Sequence, residues 1–370
     1  MQLYGFNLST PMTKVTFNNK HHVFQQAIKT QAAAYFAEKG IKPTGNSKLY
    51  SKALILIFSA VVIYVFLLLG SYNTATGILL CFALGFCLCG IAMNVMHDAN
   101  HGSFSSKKWV NNLMSLTMNA LGSNAFLWKI KHNILHHTYT NIDGLDNDII
   151  HSPALRQTVT QPWFSLHRYQ HIYMYFLYAI STLHWMLVGD FQKYFTKSFI
   201  GMPIRKITGK EHVIFWLSKM LYVVFYIYLP IYFAGWVAWL IGFLIIHIVL
   251  GLFLTIIFQL AHMVEKATFD SAGTDKKIID SEWAIHEVKT TANFATQNPA
   301  LTWFAGGLNF QIEHHLFPHI SHVHYPALSK IIQEQCRVFN LPYNCYATVT
   351  EALISHTRLM KQLGQQPEAA

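Results

Sequence analysis

The sequence predicts an all-α integral membrane protein with four transmembrane helices in two hairpins, joined to a cytoplasmic helical cap. Two observations predict this fold class. Of the 370 residues, 52% are hydrophobic and only 12% are charged, whereas soluble domains carry about 25% charged residues. The apolar residues also concentrate in four long runs, and the charged residues lie between them.

Each run is long enough to cross a bilayer, whose hydrocarbon core of ~30 Å needs roughly 20 apolar residues of helix. The runs cover residues 53–70, 78–96, 213–234 and 237–260. Buried core helices of a soluble protein are the alternative, but the runs are too long and too seldom interrupted for that. Lys219 is a charged residue near the start of the third run, and we expect it to snorkel to the interface.

The connectors predict the topology. Residues 71–76 and 235–236 are short and uncharged, which indicates two helical hairpins. Basic residues precede the first run and separate the hairpins, among them Lys14, Lys20, Lys48, Lys107 and Arg205. Positive residues stay cytoplasmic, so both termini and the central segment should be cytoplasmic. We therefore expect one domain made of segment 1–52, hairpin 53–96, segment 97–212, hairpin 213–260 and segment 261–370.

The formal net charge of +10 follows from this topology and favours attraction to anionic lipid. The basic residues form no single stripe, which argues against a nucleic-acid partner. Residues 1–14 lack the apolar region of a cleavable signal peptide. The lipid bilayer is the expected surrounding.

Histidine clusters lie at the predicted cytoplasmic ends of the second and fourth runs and in the cytoplasmic segments. Two pairs have i,i+4 spacing, which places both imidazoles on one helix face, and a third cluster has a glutamine and two histidines at i, i+3 and i+4. The predicted topology brings every cluster to one membrane face. The candidate ligands are His97, His101, His132, His136, His137, His262, Gln311, His314 and His315.

This set predicts a histidine-rich di-metal site in the cap. Eight histidines exceed the four ligands of a zinc site and suit two ions. Imidazole accepts iron, copper, zinc or nickel, so the residues leave the metal open. Nearby carboxylates could orient the ring nitrogens, although residues 143–148 equally suit an ordinary turn. These carboxylates are Asp98, Asp143, Asp146, Asp148 and Glu313.

Two further apolar stretches are expected to be interfacial or re-entrant helices. Residues 109–128 are mostly apolar but contain four asparagines, and a full span there would put the first two clusters on opposite sides of the membrane. Residues 173–189 have the same interpretation. His286 is expected either to orient a ligand or to be solvated. His167 and His171 are expected to orient a ligand or to have a structural role rather than to bind a metal.

The motifs "HDANH", "HNILHH" and "QIEHH" match the HxxxH, HxxxHH and QxxHH boxes of membrane fatty acid desaturases. "GGLNFQIEHHLFP" resembles the front-end subgroup in particular, and the resemblance runs from about residue 97 to 325. It implies a non-haem centre of two iron ions. With dioxygen and two electrons, such a centre removes two hydrogens from neighbouring acyl carbons, leaving a cis double bond and water.

The resemblance also implies a role for each of the candidate ligands. The seven histidines of the boxes take the iron-ligand role, and His262 resembles an additional histidine after the fourth span. Gln311 stands where other desaturases have a histidine and could bind through water. The substrate implied is a long-chain fatty acyl group. Residues 1–50 lack the HPGG motif of a fused cytochrome b5 domain, so a separate ferredoxin or cytochrome b5 is expected to supply the electrons. A bacterial inner membrane is favoured over the endoplasmic reticulum.

Two alternatives remain. A related di-iron hydroxylase of lipid or alkane would use the same boxes, although QxxHH favours desaturation. A membrane metal-binding or transport protein would place ionisable residues deep in its spans. The four runs hold almost none, His247 being the main exception.

Overall fold

The computed structural model describes residues 15–18, 22–146, 148–149, 153–199, 202–204, 206–271 and 278–366. The chain is mostly helical, and its strands are two residues long. Lys14, Lys20 and Arg205, which contribute to the predicted topology, lie outside the described residues.

Four helices of the described chain are long and apolar enough to cross a membrane, which confirms the four predicted runs. They are span 1 (Ser47–Leu69), span 2 (Thr74–His101), span 3 (Gly209–Ala234) and span 4 (Trp236–His262). Each begins before its predicted run, and in spans 1, 2 and 3 a polar side chain caps the helix before the apolar run begins. The side chain of Asn46, for example, accepts hydrogen bonds from the backbone N–H groups of Lys48 and Leu49.

Span 2 packs against both span 1 and span 4. A glycine at position 85 permits a close approach to span 4, because a Cβ there would lie 2.9 Å from the Cβ of Val249. The largest buried apolar cluster joins spans 1, 2 and 4 to the chain that follows span 4, and it includes Leu56, Leu88, Leu260 and Phe294. This packing fixes the ends of spans 2 and 4 beside each other.

Residues 109–128 do not form the single helix that the sequence predicts. They break into three short helices, Lys108–Ser115, Thr117–Ala120 and Ala125–Lys129. Polar residues explain the last break, because Asn124 caps the third helix by accepting from Leu127 N–H. The second stretch is bent by 62° between Ser165–Ala179 and Ser181–Thr196, as in a broken span or a re-entrant loop.

The expectation that Lys219 snorkels to the interface is wrong. Its side chain is buried within span 3, and its Nζ donates to the carbonyl oxygens of Gly122 at 2.7 Å and Met186 at 3.0 Å. It also pairs with the Asp190 carboxylate at 2.9 Å. In the folded protein, Asp190 from another helix neutralises the Lys219 ammonium group. The ammonium group therefore does not need to reach the membrane interface.

The helix before span 1 packs against the helices that follow span 4. A second apolar cluster packs helix Val23–Lys39 against the helices that follow span 4 through residues such as Phe24, Ala284 and Ile312. Those later helices are Trp283–Thr290, Pro299–Phe304, Gln311–Leu316, Tyr325–Val338 and Val349–Leu363. Short 3₁₀-helices cover Ser165–Tyr169 and His322–His324.

Four pairs of short strands tie these segments together. Three pairs are parallel: Thr16–Phe17 with Ile278–Ile279, Ile142–Asp143 with Asp270–Ser271, and Asn293–Phe294 with Cys345–Tyr346. Ser198–Phe199 pairs antiparallel with Met202–Pro203. The parallel pairs join chain segments that are far apart in sequence.

Candidate metal centre

The first histidine box continues span 2. The helix widens into a π-helix over Ala92–Met96 and returns to α-helix over His97–His101. The rings of His97 and His101 lie on one side, with centroids 4.7 Å apart. Gly102 ends the helix in the left-handed region, at a φ of 77°.

The second box is itself a π-helix, Ile130–His136, rather than the regular α-helix that i,i+4 spacing suggests. Such π-turns are rare and are frequent at functional sites. His132 and His136 still share a side, with ring centroids 5.2 Å apart. The Trp128 ring stacks on His132 at 4.3 Å, and His137 opens the next short helix, His137–Tyr139.

Two glycines place the third box. Gly306 and Gly307 have φ values of +58° and +68°, which only glycine adopts readily. A Cβ on Gly306 would lie 2.4 Å from the carbonyl oxygen of Met93, so this turn packs directly against span 2. The following helix, Gln311–Leu316, is buried along its whole length.

The structure brings all nine predicted residues close together, and seven of them form two groups. Potential ligand atoms lie within 4.8 Å of one another in each group. The first group is His97, His101, His132 and His314, and the second is His136, His262 and His315. His137 forms a further set with His314 and His315 and therefore lies between the two groups. The Gln311 amide nitrogen is 3.0 Å from His262 Nε2, beside the second group.

Three imidazoles are oriented in the same manner. The Nδ1 of His136 lies 3.0 Å from an Asp146 oxygen, that of His315 lies 2.7 Å from Glu287, and that of His314 lies 3.2 Å from the Tyr325 hydroxyl. When Nδ1 carries the proton, Nε2 presents its lone pair on the opposite side of the ring.

The Nε2 atoms, on the other side of these rings, show whether the residues fit a metal ion. Within the described chain, the Nε2 atoms of His101, His136, His314 and His315 are buried without a hydrogen-bond partner. A buried unpaired polar atom is costly, and a metal ion removes that cost by accepting the lone pair. The residues therefore fit a metal centre, and the two groups suit two ions.

Burial also sets the protonation state of the imidazoles. It lowers the pKa of His132, His137, His314 and His315 well below the ordinary value, and neighbouring histidines lower each of them further. Burial opposes protonation of His136 as well, but the charge and the hydrogen bond of Asp146, together with the charge of Asp148, outweigh it and raise the pKa of that ring. Neutral imidazoles keep the lone pair that a metal binds.

The five predicted carboxylates have different roles, and the structure describes all of them. Asp146 accepts from His136, and Asp148 lies 3.8 Å from the same ring while pairing with Lys131. Asp98 is 3.9 Å from His97 Nδ1, and it accepts hydrogen bonds from the Ser321 hydroxyl and the His322 backbone N–H. The other two carboxylates are not hydrogen-bonded to candidate ligands: Thr160 donates to Asp143, and Asn293 and Tyr343 donate to Glu313.

Sequence reasoning missed Glu287 and Tyr325 as partners of the candidate ligands. Glu287 lies 28 positions from His315, so no spacing rule connects them. Its neighbour His286 is buried rather than solvated, and its Nε2–H donates to the carbonyl oxygen of Thr140 at 2.8 Å. His167 has a structural contact, as expected, through Nε2 to the Pro153 carbonyl at 2.8 Å.

The fold and the site together define a class: a chain with four membrane-length apolar helices and a candidate metal centre, which joins histidines at the ends of spans 2 and 4 to histidines on shorter helices. The sequence profile of the fatty acid desaturase family matches residues 73–347. The chain is 34% identical to the sn-1 linoleoyl-lipid 6-desaturase of Arthrospira platensis, over 98% of each protein. It is 33% identical to the protein of the same name from Synechocystis sp., over 95% of this chain and 98% of that one.

A third relative is the acyl-lipid (8-3)-desaturase of Physcomitrium patens, which is 31% identical over 92% of this chain and 72% of its own length. This chain belongs to the fatty acid desaturase family. That membership confirms the resemblance seen in the histidine boxes. It also confirms the predicted class of enzyme, an oxidoreductase that desaturates fatty acyl groups.

Proposed function

We propose that this protein is a front-end acyl-lipid desaturase, which inserts a cis double bond between the carboxyl end of a long acyl chain and a double bond already present. The observation that carries the metal-dependent chemistry is the shared orientation of His136, His314 and His315, whose buried Nε2 atoms lack partners within the described chain. Relatives named as lipid 6-desaturases, which match nearly the whole chain, support the acyl-lipid substrate.

The proposed cofactor is a pair of non-haem iron ions, with dioxygen as co-substrate. The first iron would be held by the group of His97, and the second by the group of His136. His137 is adjacent to both groups, and Gln311 would bind beside His262, directly or through water. Iron and dioxygen supply the oxidising power for an unactivated C–H bond, which no side chain can supply.

The residues of the chain prepare the site for this chemistry. Asp146, Glu287 and Tyr325 hold the ring protons away from the centre, so that the lone pairs converge. The imidazoles are buried, which excludes bulk water from the reacting centre. Neutral ligands leave the bound ions strongly positive, which favours activation of dioxygen.

The proposed topology places two hairpins in the membrane and both termini in the cytoplasm, with segments 1–52, 97–212 and 261–370 forming a cytoplasmic cap around the centre. The grouping of His97 with His314, and of His262 with His315, supports a common face for the ends of spans 2 and 4. The bacterial inner membrane is the proposed location. A separate ferredoxin or cytochrome b5 is the proposed electron donor.

The test is fatty acid profiling of a host that supplies electrons and is fed C18 polyunsaturated acids. Gas chromatography–mass spectrometry with double-bond localisation is expected to show a new double bond on the carboxyl side of an existing one. A hydroxylated product would replace the proposal with a lipid hydroxylase. A new double bond on the methyl side would retain the family activity and reject the front-end assignment.

His136→Ala should abolish the product while leaving membrane insertion intact, because it removes a buried candidate ligand and leaves the spans unchanged. The matched control is His22→Ala, since His22 is exposed and distant in the sequence from the boxes. Product analysis and iron content of the purified proteins are the measurements. Wild-type turnover by His136→Ala would reject the ligand assignment.

A further inference from the structure

Three buried ionisable side chains lie in a row outside the two histidine groups. They are Lys52 in span 1, His322 after the third box, and Asp98 in the helix of the first box, His97–His101. Their exposed fractions are 6%, 3% and 1%. We call these three residues the buried triad. Burial of such groups is costly unless each has a polar partner, so their partners show what the triad holds in place.

The middle member of the triad presents a matching atom to each of its neighbours. Lys52 Nζ lies 3.0 Å from His322 Nε2, and because an ammonium group can only donate, Nε2 accepts. Burial lowers the pKa of His322, so the ring is neutral and its proton lies on Nδ1. That nitrogen is 3.0 Å from a carboxylate oxygen of Asp98. Lys52 also donates to the carbonyl oxygen of Trp303 at 3.1 Å.

Asp98 connects the triad to the helix that carries the first two candidate ligands. Its carboxylate accepts from the Ser321 hydroxyl at 2.7 Å and lies 3.9 Å from His97 Nδ1. The other end of the same helix is also held, because His319 Nδ1–H donates to the carbonyl oxygen of His101 at 2.9 Å. The segment that follows the third box therefore contacts both ends of the first box.

The position of the first box against the third decides the geometry of the first metal group. That group takes His97 and His101 from the first box and His314 from the third. The ring centroids of His97 and His314 are only 4.5 Å apart. The second group, in contrast, contains no residue of the first box. A change in how the two boxes meet should therefore affect one ion far more than the other.

We propose that Lys52 and His322 are positioning residues for the first metal group, which act through Asp98 to hold the first box against the third. The proposal rests on the pair of ions in the proposed function. In the described chain, neither side chain is hydrogen-bonded to a candidate ligand, and none of the nine candidate ligands lies in span 1. The triad is thus the connection by which span 1 influences the centre.

Lys52→Met tests the role of the cation, because the side chain keeps a similar length while its charge and its hydrogen bonds are lost. Lys48→Met is the matched control, since Lys48 is exposed one turn earlier in the same helix. The wild type and both variants are stripped with a chelator and titrated with Co²⁺. This ion binds imidazole sites, and its visible absorption reports the ligand geometry of each bound ion.

The expected result is a selective loss at one of two ions. The wild type and Lys48→Met should each bind two Co²⁺ ions. Lys52→Met should bind one ion with the wild-type affinity and the other roughly tenfold more weakly, at the lower end of the effect of an outer partner of a ligand. Only the absorption of the weaker ion should change. A general loss of packing would weaken both ions together.

A double-mutant cycle shows whether Lys52 acts through Asp98. Asp98→Asn removes the carboxylate charge that joins the triad to the first box, and it should weaken the same ion. Lys52→Met should then add little in the Asp98→Asn background, because the two losses have one cause and are not additive. Additive losses of affinity would reject the proposed route.

The outcomes separate this inference from the proposed function. If the wild type binds fewer than two ions, the proposed pair of ions fails and the inference fails with it. If the wild type binds two and Lys52→Met weakens both equally or neither, the positioning role is rejected and the pair of ions remains. His322→Leu, which removes both contacts of the imidazole, should give the same selective loss and replaces Lys52→Met if that variant does not fold.

Discussion

At the scale of single residues, the group that accepts each Nδ1 proton decides where the imidazole points. His315 depends on Glu287, which also accepts a hydrogen bond from the Thr140 hydroxyl at 2.9 Å. His314 depends on the Tyr325 hydroxyl and His136 on Asp146. Such partners fix the tautomer and raise the basicity of a ligand, and their loss typically costs ~10–100-fold in metal affinity or activity.

Glu287→Gln is therefore expected to lower activity or iron affinity by roughly 10–100-fold. The amide keeps the size of the side chain but replaces a carboxyl oxygen with an NH₂ group, which weakens the group that accepts the His315 Nδ1 proton. Glu334→Gln is the control, because Glu334 is exposed and pairs with Arg337 three residues later. Turnover and iron content of both variants should be compared. Equal iron content and turnover in the two variants would show that Glu287 does not support His315.

His356 predicts a pH dependence of stability. Its Nδ1–H donates to the Met263 carbonyl at 2.7 Å, and its Nε2 accepts from the Tyr178 hydroxyl at 3.0 Å. Burial lowers its pKa from 6.5 to about 4. As the pH falls, the unfolded chain binds the proton first, so the stability is complete above about pH 6.5 and is lost progressively toward pH 4.

The expected loss from this one ring is on the order of 2 kcal/mol at pH 5. Thermal unfolding in detergent at pH 7 and pH 5 measures it. His356→Gln should be less stable at pH 7, because it loses the histidine contacts, and its melting temperature should fall less on acidification. A pH response identical to that of the wild type would assign the acid sensitivity to other groups.

At the scale of the secondary-structure elements, departures from regular α-helix determine where the histidine boxes lie. The π-helices Ala92–Met96 and Ile130–His136 immediately precede or contain candidate ligands. Gly306 and Gly307 adopt positive φ and let the third box pack against the first. Hydrophobic periodicity contains no signal for any of these features, because they arise from contacts between segments.

Gly306→Ala should displace the third box from span 2. The new Cβ would have to lie 2.4 Å from the Met93 carbonyl oxygen, at a φ of +58°. We expect a loss of at least ~1 kcal/mol of stability together with a large loss of iron and activity.

Gly209→Ala is the control, since a Cβ at Gly209 meets no atom within 4 Å. Melting temperature, iron content and product yield of the two variants should be compared. If Gly306→Ala behaves like Gly209→Ala in all three, the close approach to span 2 is not required for the site.

At the scale of the whole molecule, the candidate centre joins distant parts of the chain. The first group combines residues of span 2, the second box and the third box, and the second group adds the end of span 4. A ligand that binds only the folded state stabilises it by mass action. Bound metal should therefore act as a cross-link between the spans and the later helices.

Removal of the proposed iron by a chelator should lower the melting temperature of the wild-type protein by several degrees. Such a shift corresponds to a few kcal/mol of binding free energy. Readdition of Fe²⁺ under reducing conditions should restore it. His136→Ala should respond less to both treatments, because its second group lacks a ligand. An unchanged melting temperature in the stripped wild type would show that the metal does not link these segments.

The sequence by itself determined the four membrane helices and the identity of the clustered residues. A long uncharged apolar run rarely forms anything other than a membrane helix. His97, His132 and His314 belong to short sequence motifs, which are recognisable whatever the tertiary arrangement. Family membership followed from the same motifs. These features are local, and local patterns can be read without knowing which segments meet.

Only the tertiary structure decided what depends on contacts between distant segments. It divided the histidines into two groups, assigned Glu287 to His315 and buried Lys219 against Asp190. It also broke residues 109–128 into short helices and left a cavity beside them. The physical reason is that hydrogen-bond partners, buried ion pairs and cavities belong to pairs of surfaces, and the one-dimensional sequence does not specify which surfaces come together.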